Sequence, residues 1–378
     1  MDQERVISMS KNISKYPVLV LLGLLVIVLC SASSEAFSSK RSDSHRIFLQ
    51  YLQAYGPDSY SDYRKQLSLV TDSTNGITAV SPNWYHLNNS ADGTFTGPWE
   101  LSSGNYNQLV AVAHHRGFEV LPLIAADWDD TGKMTLYNVL SQKTSRLNLV
   151  NQIVGMITSS GADGVVIDFE YMSGSTGPFL TQFMLELSSE LHARDKLLVE
   201  AVPSRTSTSR SYTAFDYQSL SLAVDYLAIM TYDYSTSEPG PIAPPDWIKR
   251  VLDYARAQHV AMDKVLLGLP YYGRDWASTG PTYEAHALGL AQALSRSAEY
   301  SASIERETTQ ADLVGIPHYS YQDESGTQHF VYYDDYDSWR AKLGFLDEYN
   351  LGGVHCWSVM WLNDNTARSL FSLLRELS

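Results

Sequence analysis

A chain of 378 residues that is 44% hydrophobic and 18% charged has the apolar content of a folded protein, which excludes disorder for its bulk. Its 42 acidic and 27 basic residues leave a formal charge of −15, so phosphate backbones repel it and nucleic acid is excluded as a partner. Tyrosine (25) and tryptophan (8) are abundant, and their flat apolar faces with a polar edge suit sugar rings as well as ordinary cores.

At the N-terminus, Arg5, Lys11 and Lys15 precede a run of 13 apolar residues from Val18 to Cys30. That run falls short of the roughly 20 residues a membrane-spanning helix needs. The small residues that follow, with Ser34 and Ala36 before Phe37, complete the pattern of a secretory signal peptide. Residues 1–36 are therefore expected to be a signal peptide or an uncleaved N-terminal membrane anchor, 37–45 a short leader, and 46–378 the working domain. A secreted or cell-surface location follows, with membrane contact only through the first segment and a monomer as the expected state. Cys30 and Cys356 are the only cysteines, so removal of the signal leaves one thiol, no internal disulfide and no thiol-based metal site. Cys356 lies in an apolar run and is expected to be buried.

Strands are expected at 47–55, 76–85, 119–126, 163–170, 197–203, 224–233, 265–272 and 352–358. Helices are expected between them, at 60–72, 106–116, 144–160, 178–194, 247–259 and 364–376. Gly117, Gly161 and Gly352 stand where a helix hands over to a strand. Eight β units alternating with helices point to an α/β fold, a closed (β/α)8 TIM barrel. The rival is an open doubly wound sheet, but no Gly-rich phosphate turn follows the first strand. About 75 residues, from Ala277 to Leu351, separate the seventh and eighth strands, too many for a simple connection. Within them 285–300 reads as helix, and 318–322 with 328–333 flank the turn-rich Asp323-Glu324-Ser325-Gly326 as a hairpin. A small α+β insertion between strands seven and eight is expected.

The fourth strand carries the chemistry. In Asp163-Gly164-Val165-Val166-Ile167-Asp168-Phe169-Glu170, alternation puts Val165, Ile167 and Phe169 on one face. Gly164, Val166, Asp168 and Glu170 lie on the other, the interior of a barrel. Asp168 and Glu170 are then roughly 7 Å apart at the strand's C-terminal end, where barrel enzymes keep their active sites. Two carboxylates that close do not both ionise cheaply, so one holds a proton near neutral pH. A carboxylic acid beside a carboxylate is what glycosidic cleavage needs.

The octad resembles the glycoside hydrolase family 18 signature, D-G-x-D-x-D-x-E on the fourth barrel strand. Met230-Thr231-Tyr232-Asp233 resembles that family's M-x-Y-D element, and Leu269-Pro270-Tyr271-Tyr272-Gly273-Arg274-Asp275-Trp276 its P-x-Y-G motif. Trp357 ends strand eight where the family places a tryptophan under the reacting sugar. With Ser81-Pro82-Asn83-Trp84-Tyr85 the likeness covers about residues 46–376. Together with His329-Phe330-Val331-Tyr332-Tyr333-Asp334-Asp335, these segments are most similar to the branch of bacterial spore-cortex and cell-wall N-acetylglucosaminidases, and chitin-degrading members are close to it. Val166 departs from the signature, which has Asp there.

The resemblance implies a retaining, substrate-assisted hydrolase of β-1,4-linked N-acetylglucosamine polymers, peptidoglycan or chitin, in which the 2-acetamido oxygen is the nucleophile. Glu170 would be the general acid and then the base, and Asp168 would orient the acetamido group. Tyr232 would hold that group against the anomeric carbon, Asp233 would help bind the sugar, and Trp357 and Met230 would contact it. Trp84, Trp128, Tyr272, Arg274 and Trp276 lie at strand ends and either line sugar subsites or pack the barrel top. No metal or other cofactor is implied: no HExxH spacing occurs, and His114 with His115 is expected on a solvated helix face. No G-x-S-x-G context supports a serine hydrolase. The alternative is a non-catalytic, lectin-like protein on the same barrel, and the intact Asp168 and Glu170 favour the enzyme.

Overall fold

The computed structural model describes residues 46–55, 59–70, 76–98, 101–307 and 314–377. The expected export segment and leader lie outside the described residues. In chain order the strands are β1 (Ile47–Leu52), β2 (Ala79–Leu87), β3 (Phe95–Thr96), β4 (Glu119–Val120), β5 (Leu123–Ala125), β6 (Gly164–Asp168), β7 (Leu197–Pro203), β8 (Tyr226–Met230), β9 (Val265–Pro270), β10 (Tyr272–Ser278), β11 (Tyr283–Gly289), β12 (Glu305–Glu307), β13 (Ile316–Gln322), β14 (Gln328–Tyr332) and β15 (Gly353–Trp357). The helices are α1 (Ser59–Val70), α2 (Ser103–His115), α3 (Asp130–Ser141), α4 (Lys143–Ser160), α5 (Gly177–His192), α6 (Tyr217–Ala223), α7 (Pro245–Ala257), α8 (Leu290–Glu299), α9 (Tyr336–Leu343), α10 (Phe345–Tyr349) and α11 (Asp364–Arg375).

Parallel strands run β1-β15-β9-β8-β7-β6-β5-β2, and β1 pairs with β2 to close the ring. This is the expected (β/α)8 barrel. Alternate residues of each strand fill the interior. Leu123, Val166 and Val199 stand side by side in register, all fully buried, as one apolar layer. The opposite residues, such as Val165, Ile167 and Phe169, pack beneath the helices.

The strand expected at 119–126 is split. Pro122 has no N–H to give the ladder, so β4 and β5 pair with β2 as separate pieces around Leu121-Pro122, while the Pro122 carbonyl still accepts from Val166 N at 3.0 Å. Helix α3 was not among the expected elements. Asp129 caps it, accepting from Gly132 N at 2.8 Å. Helix α4 follows after Gln142 and hands over to β6 at the barrel's N-terminal end. Its 18 residues span about 27 Å, and α3 comes before it, between the C-terminal end of β5 and the start of α4.

The insertion starts earlier and ends earlier than 277–351. Its antiparallel sheet, ordered β11-β10-β14-β13-β12, begins at Tyr272, separated from β9 by Tyr271 alone. After β14 the chain returns to the barrel's helical layer as α9 and α10. Residues 285–289, expected as the start of the helix at 285–300, instead belong to β11, because they find a partner in β10, and the helix runs over Leu290–Glu299 as α8. The β13–β14 hairpin is as expected. Asp323 Oδ1 accepts from Ser325 N at 3.0 Å and Thr327 N at 2.8 Å, closing the turn.

Candidate active site

Strand β6 ends at Asp168, and Glu170 follows two residues on, so both carboxyls stand at the C-terminal mouth of the barrel. A Cβ on Gly164 would meet Leu197 O at 2.4 Å, so β6 and β7 approach closely at this glycine. Asp168 is buried, and burial pushes its carboxyl up to about 7. Glu170 is half-buried. Burial first, then the neighbouring carboxylates of Asp168 and Asp233, hold its acid well above the usual carboxylate range. The apolar layer of Leu123, Val166 and Val199 lies directly below, where the signature's extra Asp would stand.

Tyr232 and Asp233 follow β8. The Tyr232 ring is buried against Tyr272 and His355, with ring centroids at 6.4 and 6.0 Å. Asp233 has φ 61°, a left-handed backbone for a non-glycine residue, and such conformations cluster at functional sites. Its Oδ1 accepts from Tyr272 OH at 2.5 Å and from Arg274 Nη2 at 2.7 Å. Arg274 also donates to Ser235 O at 2.8 Å, and its guanidinium lies over the Tyr272 ring. Met230 points inward at the end of β8, half-buried, and its carbonyl accepts from Ser204 Oγ at 2.6 Å.

Trp357 ends β15 on the same mouth, half-buried, with Tyr51 against it at 5.1 Å. Two residues earlier His355 is fully buried. Its Nε2 donates to Ile229 O at 2.9 Å, and burial lowers its pKa to about 4, so it is neutral. Three inward polar atoms around this pocket, Asp168 Oδ1, Tyr51 OH and His355 Nδ1, have no hydrogen-bond partner among the described residues. Buried polar groups in folded proteins are nearly always satisfied, so such a cluster marks a place where a polar ligand is accepted.

The structure thus gathers Asp168, Glu170, Tyr232, Asp233, Met230 and Trp357 at one mouth. Tyr272 and Arg274 stand behind Asp233 as its supports. Two expected subsite residues are corrected to packing. Trp84 is outward-facing and 2% exposed, wedged between Tyr63 and Tyr106, because Asn83 takes the inward position on β2. Trp276, on β10 of the insertion itself, is fully buried and donates Nε1 to Thr236 O at 3.1 Å. Trp128, by contrast, is 65% exposed beside Tyr171. His114 Nε2 pairs with Asp163 Oδ2 at 2.8 Å, and the same oxygen accepts from Val120 N, a tie between helix and strand ends. Among the described residues no group of three or more His, Cys, Asp or Glu is placed to hold a metal ion.

One buried acid escaped the sequence reasoning. Glu200 on β7 is fully buried with both carboxylate oxygens unpartnered, and burial, then the charge of Asp168, raise its pKa well above normal. A glutamate inside the apolar run Leu197-Leu198-Val199-Glu200-Ala201-Val202 was the available signal.

Comparison with known proteins agrees with the fold. The family model described as Glycosyl hydrolases family 18 matches residues 49–360. The chain is 33% identical over 228 residues to the "Putative sporulation-specific glycosylase YdhD" of Bacillus subtilis, covering 59% of this chain and 53% of that protein. It is 29% identical over 239 residues to the Bacillus subtilis "Cortical fragment-lytic enzyme", covering 61% and 53%. The chain spans about half the length of these curated relatives. Among solved structures, the C-terminal domain of a "putative chitinase" from Desulfitobacterium hafniense DCB-2 superposes with a TM-score of 0.82 at 43% identity, over 88% of this chain and 99% of that one.

Proposed function

The chain belongs to glycosyl hydrolases family 18 and is a glycosidase, and from that premise we propose that it is exported and cleaves β-1,4-linked N-acetylglucosamine polymers of the cell wall or of chitin, with retention of configuration. The observation that carries this reading is the buried Asp168–Glu170 pair with its orphaned Asp168 Oδ1, within electrostatic reach of Tyr232 and Asp233.

Glu170, kept protonated by burial and by two neighbouring carboxyls, gives its proton to the glycosidic oxygen as the C1–O bond breaks. The substrate's acetamido oxygen forms the new bond to C1, giving a cyclic oxazolinium. Asp168 accepts the acetamido N–H at its unpaired oxygen and offsets the positive charge that develops there. The Tyr232 hydroxyl holds the acetamido oxygen toward C1, a positioning effect. Glu170, now a carboxylate, takes a proton from the water that opens the oxazolinium. Trp357 lies under the sugar ring. The relatives named for sporulation and for cortical fragments support a wall glycan as the substrate.

The test is mass spectrometry of products after incubation with peptidoglycan and with N-acetylglucosamine oligosaccharides, with Glu170→Gln alongside. Loss of a general acid lowers turnover roughly 100- to 10,000-fold, with binding retained. Cleavage that survives the substitution sinks the site assignment. Saturable binding by both proteins with no cleavage by either moves the reading to a lectin-like role.

A further inference from the structure

We propose that strand β11 of the insertion is a pairing edge for a second copy of this chain, joining two insertions into one continuous antiparallel sheet. This stands apart from the glycosidase reading.

Strand β11 is the outer strand of the β11-β10-β14-β13-β12 sheet, and among the described residues it pairs only with β10. An outer strand leaves a row of backbone N–H and C=O groups unpaired. Folded proteins guard such rows with lysine, proline, a bulge or a covering segment. Along Tyr283-Glu284-Ala285-His286-Ala287 there is no lysine or proline, and the register with β10 is unbroken. The four residues from Glu284 to Ala287 are all exposed. Cover begins only at the far end of the strand, where a Cβ on Gly289 would run into the Trp361 carbonyl.

The hairpin that joins β10 to β11 fixes which groups face outward. Thr279 N donates to Thr282 O at 3.0 Å, so this closing pair is hydrogen-bonded. Bonded and unbonded pairs alternate from there. Glu284 and His286 therefore direct their N–H and C=O groups to β10, while Tyr283, Ala285 and Ala287 direct theirs to the open edge.

An antiparallel second copy centred on Ala285 meets every one of these outward groups with its own. Ala285 exchanges N–H···O bonds with Ala285 of the copy, and Tyr283 does so with Ala287 on either side, roughly six bonds in all. The same centre sets Glu284 opposite His286 twice, in the unbonded pairs where facing side chains come closest. Within one chain His286 Nε2 and Glu284 Oε1 already lie 3.4 Å apart. The dimer closes the four side chains into a ring in which each carboxylate has an imidazole on both sides. On the other face Tyr283, whose ring meets Phe330 at 6.0 Å, lies opposite the small Ala287. A centre on Ala287 has the same bonding parity, but it drives the copy against Trp361 at Gly289 and leaves Glu284 without a histidine. The complementarity of the edge with itself thus names the occupant. The row is short, so the pairing is of the small, transient class, and the monomer expected from the sequence is its dilute form.

The full chain, followed by sedimentation velocity at rising concentration, passes from monomer to dimer. Ala285→Pro removes an outward N–H that never serves the β10 ladder, a place where an edge strand tolerates proline. It weakens the association about tenfold or more, the loss of one backbone bond from each copy. His286→Glu, a surface change that leaves the backbone alone, sets like charges across both pairs and also weakens it. Glu284→Lys added to His286→Glu restores opposite charges and recovers the dimer. Ala285→Cys under mild oxidation gives more covalent dimer than the wild-type chain, because facing bonded residues stand about 5.5 Å apart at Cα, within disulfide reach. Four results each overturn the proposal: a chain monomeric at every concentration, association indifferent to Ala285→Pro, a charge reversal that does not rescue, and no excess of cross-linked Ala285→Cys. The first of them leaves the edge to a strand of a different protein.

Discussion

Glu200 and Glu170 are both acids with raised pKa values, and a two-residue rule separates them. Glu170 shares a face with Asp168 and opens onto the mouth. Glu200 shares a face with Leu198 and Val202, both packed in the core beneath the helices, so its carboxyl meets neither water nor a donor. A carboxyl whose pKa is raised by folding contributes its full stability below the unfolded value of about 4.3 and loses it as pH rises through the folded value. Glu200→Met should therefore raise the melting temperature, with a gain that is larger at pH 8 than at pH 5. A gain independent of pH would mean that packing, not the proton, sets the effect. Both acids were present in apolar runs of the sequence. Only Glu170 was singled out, because its partner lay two residues away on the same strand, whereas the burial of Glu200 depends on helices distant in the chain.

Among the elements, β6 was legible almost residue by residue. Its alternation is strict, and buried parallel strands have one register that suits both faces. Gly164 is the position where that register leaves no slack. Gly164→Ala should destabilise the fold by about 1–3 kcal/mol, the usual cost of overpacking, measurable as a lower urea midpoint. An unchanged midpoint would show that β6 and β7 can part. The start of the insertion was less legible. Pro270 ends β9 and Gly273 lies just inside β10, so the break is marked, but nothing local says that the strand after it pairs antiparallel in a second sheet. Helix α3 was missed because polar residues lead it and its cap, Asp129, lies in an acidic cluster that reads as loop. Trp84 was left between subsite and packing because alternation was not applied through Asn83.

At the level of the molecule, the insertion does more than stand on the barrel. Arg274, on its strand β10, fastens the strained Asp233 that follows β8, so two parts of the chain some forty residues apart share one salt bridge beside the reactive pair. Arg274→Gln should lower kcat/KM on a soluble oligosaccharide roughly tenfold, the loss of one charge-assisted hydrogen bond, with little change in melting temperature. Equal losses in stability and activity would make the tie structural.

The residue types, their alternation and the order of short motifs were enough to establish a (β/α)8 barrel, a carboxylate pair at the end of its fourth strand and the Tyr232-Asp233 element, because each depends on neighbours within a few positions of the chain. Barrel closure decided the rest. It set Tyr51 and His355 around the pair, turned Trp84 and Trp276 into packing, and buried Glu200. Such outcomes depend on which strands and helices meet, and local spacing carries no information about that.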